Sequence, residues 1–305
     1  GILGELSIGH AGFMCVGAYS SAIFSMLTKD VISADLLRYV LALLVGGAFA
    51  AIFGILIGIP VLRLKGDYLA IVTLAFGEII KVIVNNMYIA KDIHGVHFAM
   101  LTSISDMGLD EGSKEVILNG PQGLSGTPQT KSFVIAFVLV VITVAVILNL
   151  INSRTGRAIM SIRDNRIAAE SVGINVTKYK LMAFSVSAFF AGVAGVIYSH
   201  NTYALQATTK NFGYDMSILI LVLVVLGGIG SIKGSILSSI ILISLPEILR
   251  DFQKYRMLIY AILLIVMMIV NNNPVTKAFF KKIFGSLKRL LPKKKTAKKS
   301  SEVTQ

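Results

Sequence analysis

Eight long apolar runs decide what this chain can become: residues 8–27, 37–59, 68–88, 132–152, 181–200, 214–229, 232–249 and 257–273. A helix needs about 20 mainly apolar residues to cross the hydrocarbon core of a bilayer. The runs are rich in Leu, Ile, Val, Ala and Gly and lack the period-2 alternation of barrel strands, so they predict helices. With 55% hydrophobic and 15% charged residues, a water-soluble domain of this length would expose large apolar patches. The expected fold class is therefore all-α, a polytopic transmembrane helical bundle of about eight spans. It forms one domain over residues 1–273, followed by a basic tail, 274–305. Gly1 stands where an initiator Met would be and no basic segment precedes the first apolar run, so no signal peptide is read and an upstream helix is expected. Cys15 is the single cysteine, which excludes an internal disulfide framework and a thiolate metal site.

Charge sets the orientation. The segments 60–67, 153–180, 230–233 and 274–305 hold nineteen of the 29 Lys and Arg residues, the opposite loops hold nine, and Lys81 lies within a span. Positive residues favour the cytoplasmic side, so both ends are expected in the cytoplasm and the 89–131 loop, where acids outnumber bases, outside. In the tail, Phe279, Ile283, Leu287 and Leu290 recur at helical spacing among lysines until Pro292 ends the helix. That pattern suits a helix lying on the inner leaflet, with membrane lipid rather than nucleic acid as its partner; a partner-binding tail is the other reading.

Chemistry within the spans is sparse. Glu78 and Lys81 stand one turn apart, a spacing that lets the charges neutralise each other. A proton or ion relay would require them to be accessible. Glycines cluster at residues 4–17 and 227–234, where they serve either close packing and a turn or breaks that expose backbone to a pathway. On the second reading Ser7, His10, Tyr19, Gly228 and Gly230 are the translocation-pathway candidates. His94 and His97 have an H-x-x-H spacing with no completing ligand cluster, and are read as solvated, with no metal. No phosphate-binding loop, dinucleotide fingerprint or nucleophile elbow is present, so no catalytic residue or cofactor is expected; any ATPase would be a separate polypeptide.

The loop at 153–180 carries Arg154, Arg157, Arg163, Arg166, Lys178 and Lys180 between two spans. Asp164 or Asn165 is placed to cap a short helix that Gly173 stops in a left-handed conformation. Ala168, Ala169 and Val172 give that helix a small apolar face, and Arg163, Arg166 and Glu170 can fix the register of a docked partner by charge. An ordinary amphipathic surface turn is the plain alternative.

At these residues the chain resembles the permease subunits of branched-chain amino acid ABC transporters, LivM type. The resemblance rests on ordered blocks along nearly the whole chain: ELSIGHAGFMCVGAY (5–19), RLKGDYLAIVTLAFGEIIKV (63–82), NGPQGLSG (119–126), SRTGRAIMSIRDNRIAAESVGINVTKYKLMAF (153–184) and LGGIGSIKGSILSSIILISLPEILR (226–250). The resemblance implies an importer in the bacterial plasma (inner) membrane, with the Ala168-Ala169-Glu170-x-x-Gly173 segment as the helix that couples the bundle to an ATPase. It implies as partners a second, LivH-type permease, two ATP-binding subunits and an extracytoplasmic substrate-binding protein received in part by the 89–131 loop. The basic tail is not part of that pattern. A permease for urea, short amides or other small polar solutes would share these blocks. An ion-coupled carrier built on Glu78 and Lys81 is the reading from a different class.

Overall fold

The computed structural model describes residues 2–64, 66–92, 95–100, 115–130, 132–250 and five positions between 255 and 265. Two compact units are distinguished, residues 1–222 and 223–305.

In the first unit the apolar runs become α1 (His10–Leu27), α2 (Asp35–Val61), α3 (Asp67–Asn85), α4 (Phe133–Asn152) and α7 (Val176–Asn201). Between α4 and α7 the basic loop folds as α5 (Arg154–Asp164) and α6 (Arg166–Ser171). A short α8 (Thr209–Phe212) and a longer α9 (Tyr214–Gly227) follow, interrupted at Gly213. Among the described residues, six helical segments are long and apolar enough to cross a membrane, α8 and α9 counting together. The seventh run forms α10 (Ile232–Ile248), and the eighth, 257–273, lies for the most part outside the described residues, as does the tail.

The core of this unit is α1 packed between α2 and α7. Glycines make the approach possible: a Cβ added at Gly17 would fall on the backbone of Gly192, and one at Gly195 on the carbonyl of Met14. With little hydrophobic drive between helices in lipid, association depends on such close backbone packing. Phe13, Cys15, Ala18, Tyr19 and Ala22 of α1 are buried with Ala50 and Ile57 of α2 and Phe184 and Ala188 of α7. By contrast α4 has no buried residue and is apolar all round, as a helix facing lipid or another subunit must be.

The segment beyond α3 is more ordered than its loop-like composition predicts. Strands β1 (Met87–Asp92), β2 (Gly95–Met100) and β3 (Glu115–Asn119) form an antiparallel sheet of order β2-β1-β3. A 3₁₀ turn at Gly120–Gln122 leads to β4 (Leu124–Ser125), which pairs with β5 (Ala204–Leu205) after α7. Ile89, Ile117, Leu118, Leu124 and Leu205 turn inward and join the helical core. The strands are too short and too irregular in polarity to declare themselves by alternation. At the tip of α1, Asp30 pairs with Lys91 of β1 at 2.9 Å, and that hydrogen bond and charge hold the Asp30 carboxyl below its usual range.

In the second unit Gly228 and Gly230 adopt positive φ in the turn into α10, and Ser238 donates to the Leu223 carbonyl.

Candidate functional site

Two polar junctions stand out in this apolar molecule. The first is the loop between α4 and α7. Each of its helices starts on a capping side chain: Ser153 accepts from the Gly156 N–H at 3.2 Å, Asn165 from Ala168 at 3.1 Å, and Asn175 from Lys178 at 3.0 Å. Such caps satisfy amide donors that a helix start leaves open. At the other end of α6, Gly173 has φ 84° and the Ile174 N–H returns to the Ala169 carbonyl at 3.0 Å, a Schellman-type stop. The result is one and a half turns of helix with both ends fixed.

On that helix Arg166 donates to Glu170 at 3.0 Å, and at the end of α5 Arg163 donates to Asp164 at 2.9 Å, so charges expected to meet a partner are held in place within the chain. Ala168 is exposed, whereas Ala169 turns inward onto Ile162 and Val176, with Leu3, Ile174 and Tyr179 around them. The apolar groups displayed outward are Ile167, 80% exposed, and Val172, 75% exposed. Val172 was legible as part of this face. Ile167 was not, because on a helix this short only the tertiary anchor at Ala169 determines which side faces out.

The second junction lies along α3. Glu78, Lys81 and Asn85 occupy positions i, i+3 and i+7, one face of the helix. Lys81 pairs with Glu78 and donates to Thr209 Oγ1 at 3.0 Å; Glu78 Oε1 accepts from the Tyr214 N–H at 2.7 Å; Asn85 donates to the Ala207 carbonyl at 3.0 Å. This seam holds the α8–α9 interruption, with a carboxylate where the N-terminal amides of α9 favour negative charge. The charge couple was evident from its spacing. Its attachment to residues more than 120 positions away was not.

The pathway candidates are not gathered at one point. Ser7 accepts from the Gly9 N–H at 3.5 Å, and His10 Nε2 meets Ser187 Oγ of α7 at 2.7 Å. Tyr19 is buried; its hydroxyl donates to the Leu205 carbonyl at 3.0 Å and its ring packs edge-on against Phe212. Nine residues of helix separate it from His10, about 13 Å along the axis, so Tyr19 anchors β5 to the core in this conformation. Gly228 and Gly230 belong to the other unit, Gly230 with open space where a Cβ would be. His97 is exposed on β2, and His94 lies outside the described residues.

A bundle of bilayer-length apolar helices, glycine-packed, with one highly structured basic loop, defines a multi-pass membrane protein. The chain belongs to the family described as branched-chain amino acid transport system / permease component, whose model matches residues 1–270. It is similar to the high-affinity branched-chain amino acid transport system permease protein LivM of Escherichia coli (strain K12), 36% identical over 268 residues that make up 85% of this chain and 60% of that protein. LivM of Salmonella typhimurium is 34% identical over 265 residues, again 85% of this chain and 60% of the relative. A more distant relative is the nucleoside ABC transporter permease protein NupC of Lactococcus lactis subsp. cremoris, 24% identical over 215 residues, 68% of this chain and 61% of NupC. The chain thus spans about 60% of the length of the LivM proteins it matches. No solved structure matches it.

Proposed function

We propose that this chain is the membrane-spanning subunit of an ATP-driven importer for branched-chain amino acids. It lines the translocation path with a second, LivH-type permease, while two ATP-binding subunits hydrolyse ATP and an extracytoplasmic binding protein delivers the solute. Family membership supports the solute class. The observation that carries the mechanism is α6: a short helix capped at Asn165, stopped at Gly173 and backed by its own apolar core, presenting Ile167, Val172 and a fixed Arg166–Glu170 pair outward. A rigid projection of this kind transmits a push, whereas a loose loop would absorb it. Arg163, Arg166, Ala168, Glu170 and Gly173 form or frame the docking surface, and Ala169 anchors it from within. Ser7 and His10 at the start of α1 are the strongest pathway candidates of the first unit. The orientation is both ends of the chain inside, in the bacterial plasma (inner) membrane.

An ion-coupled carrier acting alone is disfavoured. Glu78 and Lys81 are engaged by each other, by Thr209 and by the Tyr214 amide, a positioning role rather than that of a relay. The test is ATP-dependent uptake of labelled leucine into proteoliposomes holding this chain with its co-purifying partners and binding protein. Suppression by isoleucine and valine is the expected result. Uptake of urea with none of leucine would move the solute to the amide class, and leucine uptake driven by an ion gradient alone would overturn the ABC mechanism.

A further inference from the structure

Residues 2–9 precede α1 and form no regular element, yet they contact the core behind α6 as well as α5, α7 and α3. Leu3 packs on the small core of Ile162, Ala169 and Val176 that backs α6. Gly4, at φ 79°, lies so close to the Arg163 side chain that an added Cβ would come within 2.6 Å of its Cγ. Glu5 forms an ion pair with Lys180, in the second turn of α7, and the two side chains are only 21% and 7% exposed. The Ile8 N–H then donates to Thr73 Oγ1 of α3 at 3.0 Å, and a Cβ at Gly9 would fall on the Thr73 carbonyl. His10 opens α1 with its bond to Ser187.

We propose that residues 3–5 are a transmission strap that carries displacement of α6 to the start of α1 and the second turn of α3, with the Glu5–Lys180 pair as the positioning contact that keeps it in register. The proposal rests on the coupling role given to α6 above. Apart from the strap, α6 packs chiefly on α5 and α7 among the described residues, the elements that flank it in sequence. With it, a push on Ala169 is felt directly by Leu3 and passed along eight residues to the first turn of α1. A short irregular segment gripped at both ends transmits displacement because it has no slack. The packing of Leu3 on the core behind α6 is apolar, and such a contact tolerates sliding. A mostly buried ion pair does not, since separating its charges exposes each to an unfavourable environment.

The experiment uses the full complex in proteoliposomes and reads leucine transported per ATP hydrolysed, beside retention of the ATPase subunits on purification. Glu5→Gln and Lys180→Met are each expected to keep the ATPase subunits and basal hydrolysis while lowering that ratio roughly tenfold, within the range of ordinary coupling energies. The charge-swapped pair Glu5→Lys/Lys180→Glu is expected to recover most of it. Leu3→Ala tests the other end of the strap and is expected to lower the same ratio; it decides the matter if the charge variants do not reach the membrane. A wild-type ratio in the single variants overturns the proposal, and so does loss of the ATPase subunits, which would make the strap a docking scaffold. Failure of the wild-type complex to take up leucine would instead strike the assigned function.

Discussion

At the scale of single residues, two positions separate conformation from contact. Gly173 has a left-handed backbone and open space around the site of a Cβ, so replacing it introduces strain without a clash. A side chain there costs about 1–2 kcal/mol, less for Asn, which tolerates this region. Gly173→Val is therefore expected to weaken ATPase retention and coupled transport more than Gly173→Asn, at matched membrane levels. Equal behaviour of Val and Gly at this position would remove α6 from the coupling route. Lys81 is the second case. Lys81→Met leaves the Glu78 carboxylate against the Tyr214 amide without its counter-charge, and breaking a buried pair on one side typically costs about 3–5 kcal/mol. With 26% of its side chain exposed, Glu78 places the effect at the lower end. Adding Glu78→Gln keeps an acceptor for the Tyr214 N–H and removes the lone charge. The double variant is thus expected to be more stable than Lys81→Met alone in thermal unfolding of the purified protein, and a double variant less stable than the single would assign these groups a role beyond positioning.

At the scale of elements, the α1–α7 contact is decided by the absence of side chains. A Cβ at Gly17 meets backbone atoms of Gly192 rather than the movable end of a side chain, so neither helix can yield locally. Overpacking a core typically costs about 1–3 kcal/mol, and Gly17→Val belongs at or beyond the top of that range. The expected outcome is a reduced yield of folded protein and a lowered melting temperature, with Gly77→Ala in α3 as a control whose Cβ would meet its nearest neighbour at 3.6 Å, an ordinary van der Waals contact. The helices and their caps were readable in the chain: seven of the apolar runs became helices within a few residues of their predicted limits, and Asn165 and Gly173 bound α6 as their chemistry demands. The sheet β2-β1-β3 was not, because its strands are five or six residues long, β2 is largely exposed, and β1 and β3 bury Ile89, Ile117 and Leu118 by packing on the helical core.

For the whole molecule, orientation is the property on which the functional reading turns. Cys15 is fully buried, so new surface cysteines can be labelled against little background. With a membrane-impermeant maleimide, a cysteine replacing Ser171 at the end of α6 is expected to react only from the cytoplasmic face, and one replacing Phe98 on β2 only from outside. The reverse pattern would invert the molecule and exclude ATPase docking at α6. What the sequence determined by itself is what short-range physics can carry: apolar length sets the spans and capping residues the limits of the loop helices, while charge asymmetry supplies the orientation that the labelling experiment tests. Tertiary structure alone decided that Ala169 faces inward while Ile167 faces out, that Tyr19 ties β5 to the core, and that α3 holds the interruption before α9. The last two depend on partners such as Tyr19 and Leu205 or Glu78 and Tyr214, which are 186 and 136 residues apart. Periodicity and capping act over a few residues, so no local pattern encodes which distant side chains close packing will bring together.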